Sequence, residues 1–291
     1  MRTTAPRPRK GETLDTFYHG RVLVLQEEKG YRFSVDAPLL ADFVRTKRGD
    51  EILEVGTGSG IIALLLGGRP FRRLTALEVQ PGLAALARRN VALNGLGGKI
   101  EVVRADYRKY RPGRKFDLVL SNPPYIPKAG GFLSRVDERS FARHELRGSI
   151  GDLMRMTTEW LAPRGRACFV FPERRKGDFL AAAEAGGLRV RRRRTVRPRA
   201  GEPPNLFLAE LGPARGGGRG EAGACHARGT EVSSGHHAAA RSGRRSAASG
   251  GPGVEVMPPL VLFRRDGRYT AEAKAIFSGR RPVVRVPAAI S

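Results

Sequence analysis

From residue 51 onward, short apolar runs alternate with longer amphipathic stretches at regular intervals, and no other feature of the chain restricts its fold so strongly. Strand-like runs fall at 51–55, 73–79, 100–104, 116–120, 167–171 and 206–211, with helical patterns near 61–66, 81–94, 146–162 and 173–185. This alternation reads as repeated βαβ units and predicts an α/β fold in which helices cover both faces of a mostly parallel sheet. Ahead of it, residues 21–26 and 30–35 alternate polar and apolar side chains around Glu-Glu-Lys-Gly, which predicts a short N-terminal β-hairpin, and 38–47 has a helical period.

The boundaries follow from shifts in composition. Residues 1–11 are rich in Pro, Arg and Lys without a hydrophobic period, so a basic arm with no fold is expected there. Residues 12–213 form the folded domain. Between 214 and 253 the chain turns to Gly, Ala, Arg, Ser and His, with no aromatic residue and Val232 as the only large aliphatic one, which predicts a flexible insert. Apolar character returns at 254–263, followed by a turn signal at 264–267 and a segment containing Tyr269, so 254–291 reads as a strand and turn rejoining the domain, then a tail.

Composition removes several function classes. Hydrophobic residues make up 40% of the 291, enough for a real core. The two cysteines, Cys168 and Cys225, cannot build a disulfide framework or a four-thiolate zinc site, and a reducing cytoplasm fits them. The longest apolar run, 61–66, is far below the ~20 residues that span a bilayer, so neither secretion nor membrane insertion is expected. The 53 Lys+Arg against 28 Asp+Glu give a net charge of +25, which points to a polyanionic partner. The 44 Arg against 9 Lys fit phosphate contacts through Arg's planar fork, although a GC-rich coding sequence gives the same skew.

The first strand of the alternating region runs into Glu54-Val55-Gly56-Thr57-Gly58-Ser59-Gly60 and then a helix. Glycines at this junction let a ligand lie against the backbone, but Ile61 stands where the dinucleotide fingerprint has its third glycine. Glu54 would repel a pyrophosphate and suits an ammonium, while the helix N-terminus suits a carboxylate. A zwitterionic ligand such as S-adenosyl-L-methionine satisfies both. Glu78 ends the next strand, twenty residues after Gly58, where Rossmann-like folds place the acid that grips ribose hydroxyls. Asp106 follows the third strand, positioned either to accept from an adenine amine or simply to cap a turn.

Asn122-Pro123-Pro124-Tyr125 directly follows the fourth strand, where two prolines stop the strand and fix the loop. An aromatic amine is a poor nucleophile because its lone pair is delocalised into the ring. The Asn122 side-chain oxygen and the Pro123 carbonyl are able to accept its two N–H bonds and aim that lone pair at a methyl donor, with Tyr125 stacked on the planar group. Such a transfer needs no metal and no covalent nucleophile.

The glycine loop, Glu78, Asp106 and Asn-Pro-Pro-Tyr in this order resemble class I S-adenosylmethionine-dependent N-methyltransferases. More narrowly, Tyr31-Arg32-Phe33-Ser34-Val35-Asp36, Ala142-Arg143-His144-Glu145, Arg197-Pro198-Arg199-Ala200-Gly201 leading into Asn205, Pro258-Pro259-Leu260-Val261 and residues 267–270 resemble the bacterial valine-tRNA adenine-N6 methyltransferase family. The resemblance covers 14–213 and 254–279. It implies a Rossmann-like seven-stranded methyltransferase sheet, S-adenosyl-L-methionine as cofactor, and tRNA as partner with its position-37 adenine as target. Asn122 to Tyr125 would then sit at the target amine and Phe33, Ser34 and Asp36 near the cofactor's methionine end, with Glu54, Gly56, Thr57, Gly58, Gly60, Glu78, Asp106 and Asn122 completing the cofactor site.

Three other readings remain. Asn-Pro-Pro-Tyr is shared with glutamine N5-methyltransferases that act on a release factor, although about 50 residues before the glycine loop leave little room for their helical recognition domain. Ribosomal RNA bases are further candidates, and a non-catalytic nucleic-acid-binding protein on a methyltransferase fold is the reading from another class. His144 as a general base, or Cys225-His226 and His236-His237 as metal ligands, are weaker than surface or accidental placement. Cys168 and Trp160 read as core residues. Arg189 and 191–194 read equally as a solvated sheet edge or an RNA contact.

Overall fold

The computed structural model describes residues 6–29, 34–123, 149–214 and 253–279. Strands β1 (Glu12–Phe17) and β2 (Val22–Glu27) form an antiparallel hairpin with Phe17 opposite Val22. This corrects the expected pairing of 21–26 with 30–35: β2 pairs backward, with residues that precede it. The link explains the choice. His19 and Gly20 both take positive φ, 58° and 80°, and the Arg21 N–H donates to the Tyr18 carbonyl at 3.3 Å, the backbone sense that a tight right-twisted hairpin requires. Residues 34 and 35 lead instead into helix α1 (Asp36–Phe43), while 30–33 lie outside the described residues.

The outer edge of β2 is closed by helix α3 (Pro81–Leu93) rather than by another strand. Asn90 accepts from the Leu25 N–H at 2.7 Å and donates to the Leu25 carbonyl at 3.0 Å. One turn later Asn94 does the same for Leu23, at 2.9 and 2.7 Å. A four-residue step on a helix matches a two-residue step on a strand, so two asparagines stand in for a neighbouring backbone. Residues 6–11, expected as an arm without a fold, are tied here as well: Arg89 pairs with Glu12 and donates to the Arg7 carbonyl at 2.6 Å.

The main sheet is built from β3 (Glu51–Val55), β4 (Arg73–Glu78), β5 (Ile100–Arg104), β6 (Phe116–Ser121), β7 (Leu161–Pro172), β8 (Leu188–Arg199), β9 (Leu206–Pro213), β10 (Glu255–Val256) and β11 (Leu260–Phe263). Its order is β10-β8-β9-β7-β6-β3-β4-β5, with β11 also paired to β8. Within it, β5-β4-β3-β6-β7-β9-β8 is the expected seven-stranded sheet, parallel except for β9. The segment 254–263 contributes two short strands rather than one, because Pro258 and Pro259 have no N–H to continue a ladder.

Among the described residues the α-helices are α1, α2 (Ile61–Leu66), α3, α4 (Ile150–Trp160), α5 (Lys176–Ala185) and α6 (Ala271–Phe277). Alternation along the strands sends Ile52, Leu118, Leu120 and Val170 toward α1, α2 and α6, and Leu53, Val119 and Phe169 toward α4 and α5; Phe116 joins the second face across a register shift between Phe116 and Leu118. Helix α4 begins at 150, later than the expected 146, because Ser149 and Asp152 form a reciprocal cap: each side chain accepts the other's N–H, at 3.1 and 3.0 Å. Trp160 packs edge-on against Tyr107 and Tyr110, and Cys168 is buried in β7 with its thiol pushed up by that burial, both as core residues.

The arginine cluster at 189–194 is neither of the things weighed for it at its buried positions. Strand β8 is no edge, since β9 flanks one side and β10 and β11 the other. Arg192 is 2% exposed, lies 3.9 Å over the Phe43 ring, and donates to Glu210 Oε2 at 2.6 Å and to the Phe43 carbonyl at 2.9 Å. Arg194 donates to Glu272 Oε1 at 2.6 Å and to the Pro258 carbonyl at 2.9 Å. These guanidiniums therefore fasten α1 and the C-terminal segment to the sheet.

Candidate active site

Parallel strands bring their carboxyl ends to one edge of the sheet, and four neighbouring strands deliver the expected site residues there. Glu54 lies within β3 opposite Leu120 of β6 and Ala76 of β4, while Val55 pairs with Ser121. The glycine loop and Asn122 thus leave the sheet side by side. The Ser121 hydroxyl, donating to the Val55 carbonyl at 2.7 Å, fixes that adjacency.

The glycine loop turns with Gly56, Gly58 and Gly60 at φ of 73°, 59° and 89°. An L side chain is strained at such angles, so the loop needs glycine on conformational grounds alone. The N–H groups of Gly56 and Thr57 donate to the Leu77 carbonyl at 3.0 and 2.9 Å. Glu78 braces the loop from β4, accepting the Gly58 N–H on Oε2 and the Gln80 N–H on Oε1, each at 2.9 Å. Each carboxylate oxygen keeps a lone pair for a hydroxyl donor. From the opposite side, Asn90 donates to the Ser59 carbonyl at 2.9 Å and so joins the loop to the hairpin.

Glu54 is 1% exposed beneath this loop. Burial pushes its carboxyl up to about 8 and the nearby Glu78 charge adds to the rise, while the Thr57 hydroxyl and the Ala63 N–H pull it down from positions short of full hydrogen-bond geometry. Among the described residues nine buried side-chain N or O atoms have no hydrogen-bond partner, and four of them, both Glu54 oxygens, Thr57 Oγ1 and Ser59 Oγ, belong to this short stretch. Native interiors rarely leave buried polar atoms unmatched, and a polar ligand or water at this point would satisfy them. Two close carboxylates require that ligand to bring positive charge, and the ammonium of an amino-acid moiety fits.

The other expected residues are placed as follows. Asp106 lies beyond the end of β5, where Arg108 holds its carboxyl below the usual range through an Nη2 contact of 2.7 Å, and the Arg108 N–H also donates to it. The turn-capping arrangement is thus present, with an ion pair that the sequence did not suggest. Ser34 and Asp36 open α1, with the Asp36 N–H donating to Ser34 Oγ at 3.4 Å, and α1 packs on α2 behind the glycine loop. Asn122 and Pro123 follow β6, both half-buried. Phe33, Pro124, Tyr125 and His144 lie outside the described residues, as do Cys225, His226, His236 and His237. Among the described residues no group of three or more His, Cys, Asp or Glu is arranged for a metal, and no helix is long and apolar enough to cross a membrane.

Reading residue types alone missed Ser59, Asn90 and Ser121. The Asn90-x-x-x-Asn94 spacing on a predicted helix was the available signal for one; a serine at a strand end carries none.

Comparison with known proteins extends these observations. Residues 32–138 match the family model for the methyltransferase small domain. The chain is 32% identical over 196 residues to the tRNA1(Val) (adenine(37)-N6)-methyltransferase of a Flavobacteriaceae bacterium (strain 3519-10), spanning 67% of this chain and 83% of that protein. It is 31% identical over 198 residues to the protein of the same name from Parabacteroides distasonis, spanning 67% and 82%. Among solved structures, a predicted O-methyltransferase from Agrobacterium tumefaciens superposes with a TM-score of 0.55 at 19% identity, over 84% of this chain and 96% of that one, which shows a shared fold.

Proposed function

Because the chain belongs to the tRNA1(Val) (adenine(37)-N6)-methyltransferase family, we propose that it methylates the exocyclic N6 amine of an adenine in tRNA beside the anticodon, working in the cytoplasm. S-adenosyl-L-methionine is the cofactor and supplies an electrophilic methyl group. The observation that carries the reading is the set of unpartnered buried oxygens at Glu54, Thr57 and Ser59, set beside Asn122 at one sheet edge.

In this account Glu54 holds the donor's ammonium, and the turn of Gly56, Thr57, Gly58 and Gly60, short of side chains at its three glycines, admits the amino-acid moiety against the backbone. Glu78 accepts the ribose hydroxyls on the lone pairs that Gly58 and Gln80 leave open. Asp106 accepts from the donor's adenine amine, and Phe33, Ser34 and Asp36 enclose the methionine end. Asn122 and the Pro123 carbonyl accept the two N–H bonds of the target amine, Pro124 stiffens the loop, and Tyr125 stacks on the base. Holding both N–H groups draws the nitrogen out of conjugation and directs its lone pair, so positioning supplies the catalysis. The surplus proton leaves the alkylated nitrogen for water, and no residue needs to serve as general base. The target base is taken from a loop, where unstacking is least costly.

The test is single-turnover methylation of unmodified tRNA, with nucleoside mass analysis, by the wild type and by Asn122→Ala. The variant is expected to lower the transfer rate by about 10²–10³-fold, by analogy with loss of a preorganised catalytic hydrogen bond. Its affinity for S-adenosyl-L-methionine should change by less than about threefold, under ~0.7 kcal/mol. Equal loss of both would remove Asn122 from the assigned role.

A further inference from the structure

Strands β7 and β8 both run antiparallel to β9 and are therefore parallel to each other, and β11 is parallel to β8. The carboxyl end of β11 consequently lies at the same sheet edge as the glycine loop and Asn122. Phe263, the last residue of β11, pairs with Arg199 at the end of β8. Directly beyond it the chain makes the turn Arg264-Arg265-Asp266-Gly267-Arg268, closed by the Gly267 N–H to the Arg264 carbonyl at 3.1 Å and the Arg264 N–H to the Arg268 carbonyl at 2.8 Å. Tyr269 follows, and it is one of the few large apolar side chains left exposed, at 41%.

The ring of Tyr269 is braced by two others. It stacks on Phe263 at 4.9 Å with an interplanar angle of 21°, and Phe277 of α6 packs against it at 4.8 Å. A partly exposed aromatic ring held between packed neighbours, beside three exposed arginines and opposed within the turn only by Asp266, combines a π surface with a phosphate-seeking charge. Phe263 and Phe277 join Tyr269 to the core, but neither the exposed part of the ring nor the three arginines serve the core or the cofactor site. Protein surfaces that hold unpaired nucleotides are built from these two components, since every base has a π face and every nucleotide a phosphate.

We propose that Tyr269, seated on Phe263 and flanked by Arg264, Arg265 and Arg268, is a stacking platform for an unpaired nucleotide of the RNA substrate other than the adenine that is methylated. Four inter-strand steps separate β11 from β6, roughly 19 Å at the usual spacing, so one loop nucleotide rests on the platform while another reaches Asn122. This inference rests on the RNA reading above.

Steady-state methylation of tRNA tests it with Tyr269→Ala, Tyr269→Phe and the double variant Arg265→Glu with Arg268→Glu. Tyr269→Ala is expected to raise KM for tRNA about tenfold, leaving kcat and the affinity for S-adenosyl-L-methionine unchanged, while Tyr269→Phe behaves as wild type. The double variant should also raise KM and should lower the slope of log affinity against log salt by about two. A structural role alone would leave that slope unchanged. If wild type methylates tRNA and both Tyr269→Ala and the double variant keep its KM, the platform is wrong and the substrate reading stands. If Tyr269→Ala unfolds, the double variant decides: unaltered KM and salt slope overturn the proposal. A wild type that neither binds nor methylates tRNA overturns both.

Discussion

At Glu54 the folded chain holds a carboxyl away from water and close to a second acid, so that it is largely neutral at pH 7 until a cation approaches. Its folded pKa of about 8 lies above the ordinary 4.5, so the protonated form favours folding below that lower value and the contribution is lost as pH rises toward 8. Urea unfolding of the cofactor-free protein should show stability falling across this interval, and Glu54→Gln should flatten the fall; identical profiles would contradict the account. An arriving ammonium reverses the preference and expels up to about one proton. Calorimetry of S-adenosyl-L-methionine binding should therefore give heats that depend on the buffer's ionisation enthalpy, with affinity rising toward pH 8. The glycine loop and its acid were legible in sequence because local chemistry specifies them, glycines at positive φ and a carboxylate at a strand end, while Phe33, Pro124 and Tyr125 lie outside the described residues. What escaped was the support, Ser121 and Asn90, whose roles depend on which strand or loop lies opposite.

Strand β8 shows at the level of elements why pattern reading fails where polarity and burial part company. Seven of its twelve residues are arginine, which conceals a period of two, yet Arg192 and Arg194 are buried because Glu210, Glu272 and two carbonyls meet them. Arg192→Ala should destabilise the protein by about 3–5 kcal/mol by stranding Glu210, whereas Arg192→Met with Glu210→Leu should recover most of that loss. Denaturant midpoints measure both, and additive losses would show that the pair is not coupled. The hairpin makes a related point: β2 has the alternation of a strand, but its partner was settled by a turn of positive φ at His19-Gly20 that residue alternation does not encode. Asn90→Ala should cost about 2–4 kcal/mol, since it leaves Leu25 and Ser59 backbone groups unmatched. It should also weaken cofactor binding, because the loop loses its tie to the hairpin. Unchanged affinity for S-adenosyl-L-methionine would leave Asn90 with a role in the hairpin alone.

Across the whole molecule, the two-sided helical cover and six of the seven strands agree with the alternation read from residue 51 onward, since buried strands announce themselves as apolar runs; the seventh, β8, was implied only by the family resemblance. The positive charge was the harder quantity to read. Part of the excess of +25 neutralises carboxylates inside the fold, and part is displayed along the carboxyl edge that bears the site, as at Arg199, Arg264, Arg265 and Arg268. Only three-dimensional structure separates the two. The account's central claim, an S-adenosyl-L-methionine-dependent transfer to an adenine amine of tRNA, is tested most directly by offering the protein unmodified total tRNA, ribosomal RNA and a release factor in parallel with labelled S-adenosyl-L-methionine, followed by nucleoside and peptide mass analysis. The account predicts N6-methyladenosine in tRNA and no label in the other two. Label in glutamine of the release factor, label in ribosomal RNA alone, or no transfer at all would contradict it.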